Sequence, residues 1–254
     1  MRIEDLERAA ARHWQAPEQE PLGEWLLRAA AGFTGRANSA LPVGDPGVPL
    51  PQAVTLVEDW YRRRALPPMI VIPSVLSPSA PPSPLEAHLT ERSWVLRPGP
   101  ALVMTADIAA IGTGRPDTPD WDYEVRLDPE PDAAWLALYR YRGQDLPPIA
   151  RTLLMSAPWQ AFASVRRKDQ AVAVGRISVA AQWGVITAVE VDASCQRQGL
   201  GVAITAALAS AAADRGARRI LLQVETGNTP ARALYARCGF RDSHYYHYRV
   251  APGP

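Results

Sequence analysis

Apolar positions change their spacing several times along the chain, and each change predicts an element. Residues 161–167 and 171–180 are short runs rich in small and β-branched side chains, and residues 185–191 (VITAVEV) follow after one more brief turn. Three such runs in close succession predict an antiparallel meander. Residues 204–214 are alanine-rich and predict a helix, with Gly216 placed to close it. A short apolar strand is expected at 219–225 (RILLQVE), a helix at 230–237 stopped by Gly239, and a final strand at 245–250. Ahead of the meander, residues 132–141 and 147–156 predict two short helices.

The first half is less regular. Residues 24–30 and 36–41 are expected to pair as strands, and 51–64 to form a helix with Pro51 at its start. The run PMIVI at 68–72 predicts a buried strand, 85–92 a helix, and 93–96 and 101–106 two strands. The order strand, helix, strand, helix, strand occurs in both halves, which points to a duplicated unit. The expected fold class is α/β: a mixed, mostly antiparallel sheet flanked by helices. The 25 prolines are spread unevenly and crowd most in residues 41–51, 73–84 and 116–131, which hold 13 of them. The turn-prone stretch 109–120 (AAIGTGRPDTPD) is the best boundary, giving expected domains at 1–115 and 116–254.

Composition narrows the function classes. Hydrophobic residues make up 47% and charged residues 21%, as in an ordinary soluble globular protein. The formal net charge is +1 and no basic run stands out, so no nucleic-acid partner is expected. Lys168 is the single lysine among the cations. The first residues carry charges throughout rather than the apolar core of a signal peptide. No run approaches the roughly 20 apolar residues of a membrane helix. The expectation is a cytoplasmic protein without membrane contact, a monomer or homodimer. Cys195 and Cys238 make neither a disulfide framework nor a zinc site, and no metal is expected.

Candidate chemistry sits in the last third. Gln196-Arg197-Gln198-Gly199-Leu200-Gly201 lies between a predicted strand and a predicted helix. Glycines allow a tight turn that gathers backbone N–H groups, and the following helix adds its positive end. A pyrophosphate is the natural guest. The third glycine of the dinucleotide fingerprint is missing. Downstream stands Asn228-Thr-Pro-Ala231-Arg-Ala-Leu234-Tyr235-Ala-Arg-Cys-Gly239-Phe240. Together the two segments resemble the GNAT acetyltransferase superfamily. Gln196, Gly199 and Gly201 match its acetyl-CoA loop, Gln/Arg-x-x-Gly-x-Gly/Ala. Asn228, Ala231, Leu234, Tyr235, Gly239 and Phe240 match its later motif. The resemblance covers residues 127–250 well and the first half poorly.

That resemblance implies a GNAT fold and acetyl-CoA as co-substrate. It implies that amides of Arg197, Gln198, Gly199, Leu200, Gly201 and Val202 hold the pyrophosphate. The strand at 185–191 then runs beside the pantetheine arm, and an N–H near Val189 or Val191 polarises the thioester carbonyl. Asn228 lies near the arm, and Tyr235 protonates the departing thiolate. Glu225, just before Asn228, and Glu190, within the strand, are the candidate general bases, with ordered water as the alternative. The residues His244, Tyr245, Tyr246, His247 and Tyr248 form a polar-aromatic run at the expected acceptor side. Neither cysteine has a local histidine partner to make it a nucleophile. The first half has Val43-Gly-Asp-Pro-Gly-Val-Pro-Leu50 where a cofactor loop would fall, and its prolines remove N–H donors. It reads as a degenerate GNAT-like copy, as in tandem GNAT proteins of actinobacteria. The leading expectation is acetylation of a small primary amine, such as an amino acid. A protein N-terminus or lysine as acceptor, or an acetyl-CoA sensor with little turnover, are the alternatives.

Overall fold

The structure is a computed structural model and describes residues 2–77, 79–112, 122–141 and 143–253. The boundary expected between residues 115 and 116 lies outside them. The chain divides into two compact units. One comprises Met1–Val103, Glu225–Gly227 and Ser243–Pro254; the other comprises Met104–Val224 and Asn228–Asp242. Among the described residues no helix is long and apolar enough to cross a membrane.

The first unit opens with α1 (Ile3–Ala11), then a hairpin of β1 (Glu18–Leu22) and β2 (Trp25–Ala29). Here the structure corrects the sequence reading. The strand at 24–30 pairs with Glu18–Leu22, and residues 36–41 contribute two isolated bridges, Leu26↔Leu41 and Ala40↔Ile70. β1 is almost wholly exposed, so it carries no apolar alternation to betray it. Residues 30–38 instead form a loop organised by Asn38. Its side chain accepts from the Ala30 and Gly32 amides and donates to the Phe33 and Thr34 carbonyls. Next come α2 (Leu50–Arg62), β3 (Met69–Ser74), α3 (Pro84–Glu91) and β4 (Val95–Asp107). β4 is one strand where two were expected, because Pro98, Gly99 and Pro100 fall in its largely exposed first half. β3 is apolar at every early position because both its faces are covered. Ile70 and Ile72 pack with Trp25, Val57 and Trp60, and Met69 and Val71 with Leu41, Val103 and Tyr246.

The second unit carries β5 (Glu124–Asp128), α4 (Ala133–Leu138), α5 (Ile149–Leu154), β6 (Gln160–Arg167), β7 (Gln170–Ala180) and β8 (Trp183–Val191). Then follow α6 (Leu200–Asp214), β9 (Arg219–Glu225) and α7 (Thr229–Arg237). β5 to β8 are antiparallel neighbours in sequence order, so the predicted meander is present, and β9 joins β8 in parallel. α6 lies on β6, β7 and β8. It is alanine-rich because the sheet is close: a Cβ on Gly175 would stand 2.8 Å from Ile204 and from Leu208. Gly216 at φ +79° ends α6, with the Ala217 amide reaching back to the Ala212 carbonyl at 3.0 Å. Elsewhere in the unit the Trp135 indole donates to the Ala163 carbonyl at 3.1 Å. Fully buried Arg176 donates to the Leu154 carbonyl at 2.6 Å and to Thr187 Oγ1 at 3.3 Å.

The last strand, β10 (Arg241–Val250), follows α7 in sequence, but from Ser243 on it groups with the first unit. It pairs antiparallel with β3, from Tyr245↔Ser74 to Val250↔Met69. Buried His244 meets Glu7 Oε1 at 2.8 Å, and Arg249 meets Glu86 and the Trp94 carbonyl.

Candidate active site

The site begins with a broken ladder. β8 and β9 pair only from Trp183↔Arg219 to Ile186↔Leu222, although β8 continues to Val191 and β9 to Glu225. From Thr187 onward the free edge of β8 has no strand partner among the described residues. At the same point the register with β7 slips. Thr187 faces Arg176 and Glu190 faces Val174, so Ala188 and Val189 both stand opposite Gly175. Ala188 has φ +55°. This is a β-bulge, which bends its strand and re-aims the residues after it. The Val189 side chain stays on the α6 side, close to Gly175. Val189 to Val191 therefore offer unpaired backbone groups at an opening in the sheet.

A turn rich in free amides follows. Asp192 Oδ1 accepts from the Ser194 amide at 2.8 Å, and Cys195 is buried. Arg197 has φ +65° and Gly199 φ +79°, and α6 starts at Leu200. Among the described residues, the amides of Arg197, Gln198, Gly199, Leu200 and Gly201 donate to no protein acceptor. Val202, also expected in this set, donates to the Gly199 carbonyl at 3.0 Å. Five unbonded N–H groups at the positive end of a long helix suit a phosphate group. The two glycines do different work. Gly199 occupies the left-handed conformation, whereas a Cβ on Gly201 would lie 2.5 Å from Leu234 of α7, so that glycine serves helix packing.

Two ionisable groups of this unit influence each other. Tyr235, on α7, is 7% exposed and packs edge-on to Phe240 with ring centroids 5.8 Å apart. Burial, reinforced by Cys238 and Glu190, drives its phenol well above the ordinary range, so it holds its proton. Its hydroxyl has no protein hydrogen-bond partner among the described residues. Glu190 is half-buried, and that desolvation raises its carboxyl above the usual carboxylate value.

The chain as a whole has relatives. Residues 1–249 match the family model "Probable histone acetyltransferase Rv0428c C-terminal". The chain belongs to this family. With it, the chain is a member of the GNAT superfamily. Among curated proteins, "Probable histone acetyltransferase Rv0428c" of Mycobacterium tuberculosis is 31% identical over 255 residues, spanning 98% of this chain and 74% of its own. "Uncharacterized N-acetyltransferase YobR" of Bacillus subtilis is 27% identical over 257 residues, 98% of each chain. A GCN5-related N-acetyltransferase from Kribbella flavida superposes with a TM-score of 0.74 at 17% identity, over 100% of this chain and 97% of its own. A tandem GNAT protein from the clavulanic acid biosynthesis pathway does so at 0.67 and 12% identity, over 98% and 89%. The fold is that of GNAT proteins.

Within this GNAT frame the remaining candidates separate. Asn228 is the N-cap of α7, its Oδ1 accepting from the Ala231 amide at 3.1 Å. Glu225 is exposed at the end of β9 and groups with the first unit. Of the two carboxylates, Glu190 is the one whose charge Tyr235 feels. The His244–Tyr248 run belongs to β10, where His244 and His247 hold Glu7 and Glu86. Burial raises the Cys238 thiol, which leaves it a poor nucleophile. Trp159 and Trp183 lie under the guanidiniums of Arg215 and Arg219. Among the described residues no group of three or more metal-ligating side chains is present. Sequence reasoning missed Tyr123, whose hydroxyl donates to Gln198 Oε1 at 2.5 Å; a lone tyrosine in a polar stretch carries no motif.

Proposed function

We propose that this GNAT protein transfers the acetyl group of acetyl-CoA directly to a primary amine. The observation that carries the reading is the conjunction, in one unit, of the amide turn 197–201 with the unpaired edge of β8. The turn takes the pyrophosphate, and the open edge accepts the amides of the pantetheine arm as a further strand would. Val189, in the bulge, or Val191, just past it, supplies the N–H that stabilises the oxyanion. That role depends on geometry, which is why no special side chain marks it. Glu190 removes the proton from the incoming ammonium. Its partly desolvated carboxylate is a better base than one in water and a natural anchor for a cation. As the N–C bond forms and the C–S bond breaks, Tyr235 donates its proton toward the departing sulfur.

The first unit, in this proposal, binds no cofactor. In its loop at 43–50 the Asp45 amide donates to Glu24 at 2.7 Å and the Gly47 amide to Asp45 at 2.8 Å. Pro46 and Pro49 have no N–H to give. A Cβ on Gly44 would meet the Glu24 carboxylate at 2.4 Å, so an acid occupies the place an anion would need.

We take the acceptor to be a small cytoplasmic amine, such as an amino acid. A protein lysine is the second reading, favoured by the description of the Mycobacterium tuberculosis relative as a probable histone acetyltransferase. A turnover screen with acetyl-CoA over amino acids, amino sugars, polyamines and basic peptides separates them. The expected result is turnover on a small amine that falls about 10²–10⁴-fold in Tyr235→Phe with acetyl-CoA affinity retained. Turnover confined to peptides selects the second reading. Tight acetyl-CoA binding with no turnover on any acceptor would leave a sensor.

A further inference from the structure

Three cations stand about the amide turn without a carboxylate partner. Arg197 is part of it, Arg167 ends β6, and Lys168 opens the turn between β6 and β7. The Asp192 amide donates to the Val172 carbonyl at 2.9 Å, which holds the start of the loop beside the beginning of β7 and so beside that turn. Neighbouring arginines are neutralised: Arg126 by Glu124 at 2.9 Å, Arg166 by Asp132 at 2.5 Å and Arg151 by Glu130 at 2.6 Å. Arg167, Lys168 and Arg197 form no ion pair among the described residues, not even with Asp169 in the same turn. Lys168 and Arg197 also sit at φ +56° and +65°, left-handed positions where glycine or asparagine is the comfortable choice.

One side chain ties the two segments together. The Arg167 guanidinium donates to the Tyr123 hydroxyl and lies 4.8 Å from the centroid of its ring. The same hydroxyl donates to Gln198 Oε1 at 2.5 Å. A guanidinium has five N–H donors, so Arg167 keeps others for a ligand. Tyr123 is thus a positioning residue that holds a cation next to the amide turn.

We propose that Arg167 and Lys168, positioned by Tyr123, bind the ribose 3′-phosphate of the cofactor and make the enzyme select CoA over its 3′-dephospho form. This rests on the acetyl-CoA reading above. A ligand laid along the free edge of β8 runs toward the turn. Its pyrophosphate meets the amides there, and its nucleotide lies beyond. Backbone amides bring dipoles but no net charge. A terminal dianion at an exposed position calls for mobile cations, and these two are the surplus ones at that end of the sheet.

The test is a cycle between ligand and side chain. Dissociation constants for acetyl-CoA and acetyl-3′-dephospho-CoA are measured by calorimetry on the full chain, for wild type, Tyr123→Phe and the double variant Arg167→Ala/Lys168→Ala. Wild type should prefer acetyl-CoA about tenfold, less at high salt, as exposed ion pairs are screened. The double variant should bind both forms alike, with the affinity of wild type for the dephospho form, which also reports that it has folded. Tyr123→Phe should lose part of the preference. Equal binding of the two forms by wild type, or a full preference kept by the double variant, would overturn the inference and leave the cofactor reading standing. Failure of wild type to bind either form would overturn both.

Discussion

Glu190 combines two properties that usually oppose each other. A carboxylate that is partly desolvated is a stronger base, and it also weakens the fold. Its pKa is raised in the folded protein, so the folded state holds the proton more tightly than the unfolded chain does. Stability is therefore lost as pH rises from the ordinary carboxylate value through the raised one, and the loss is complete above the raised one. Glu190→Gln removes the titration. It should melt higher than wild type at pH 7 to 8, with the gap closing below about pH 4. In the same variant kcat/KM should fall about 10²–10⁴-fold. Thermal melts across pH, beside steady-state rates, check both halves. A rate within a few-fold of wild type would move the base to Glu225 or to water. Equal melting at neutral pH would mean that the carboxyl is not desolvated. At this scale the sequence offered both acids, with Glu225 just before Asn228 and Glu190 within a strand whose alternation argues for the far face. The burial of Glu190 and its electrostatic reach to Tyr235 are properties of the tertiary structure and favour it here.

At the scale of elements, α6 couples the core to the amide turn. Its N-terminus forms one side of the amide turn, and its body rests on Gly175 of β7. A Cβ there would meet Ile204 and Leu208, both fully buried, at 2.8 Å, and Val189 at 3.4 Å. Gly175→Val should therefore lift α6 from the sheet. Overpacking of this kind costs about 1–3 kcal/mol, or about 2–4 °C of Tm per kcal/mol for a chain of this size. Acetyl-CoA affinity should weaken with it, because the turn moves with the helix. A variant with wild-type Tm and affinity would show that the sheet yields instead. The helices and the meander were legible because their apolar periods are strong. β1 and β5 were missed because they are almost entirely exposed, and exposed edge strands need no alternation.

At the scale of the whole molecule, the two units differ in the chemistry of their loops. The second unit presents five unpaired amides among the described residues. The loop at 43–50 in the first is proline-interrupted and approached by the Glu24 carboxylate. Titration with acetyl-CoA should therefore give one site per chain. A second binding event, surviving Gly199→Glu, would place a cofactor in the first unit and overturn this view. Gly199→Glu itself should abolish the first event, since its φ of +79° and its place among the amides suit neither a side chain nor a negative charge.

The amide turn, the helices on either side of β9 and the membership in a GNAT fold were determined by the sequence alone. Each depends on neighbours a few residues apart: glycine conformations, caps and helical periods. The tertiary structure decided what depends on distant residues. It laid β10 beside β3, from Tyr245↔Ser74 to Val250↔Met69, with His244 on Glu7 and Arg249 on Glu86, because such pairings depend on residues far away in the chain and not on any pattern within HYYHYRV. It opened β8 from β9 after Ile186, since a ladder ends where backbones diverge, and no side chain announces that. It also brought Tyr123 to Gln198 across 75 positions, a contact made by folding and invisible to any local pattern.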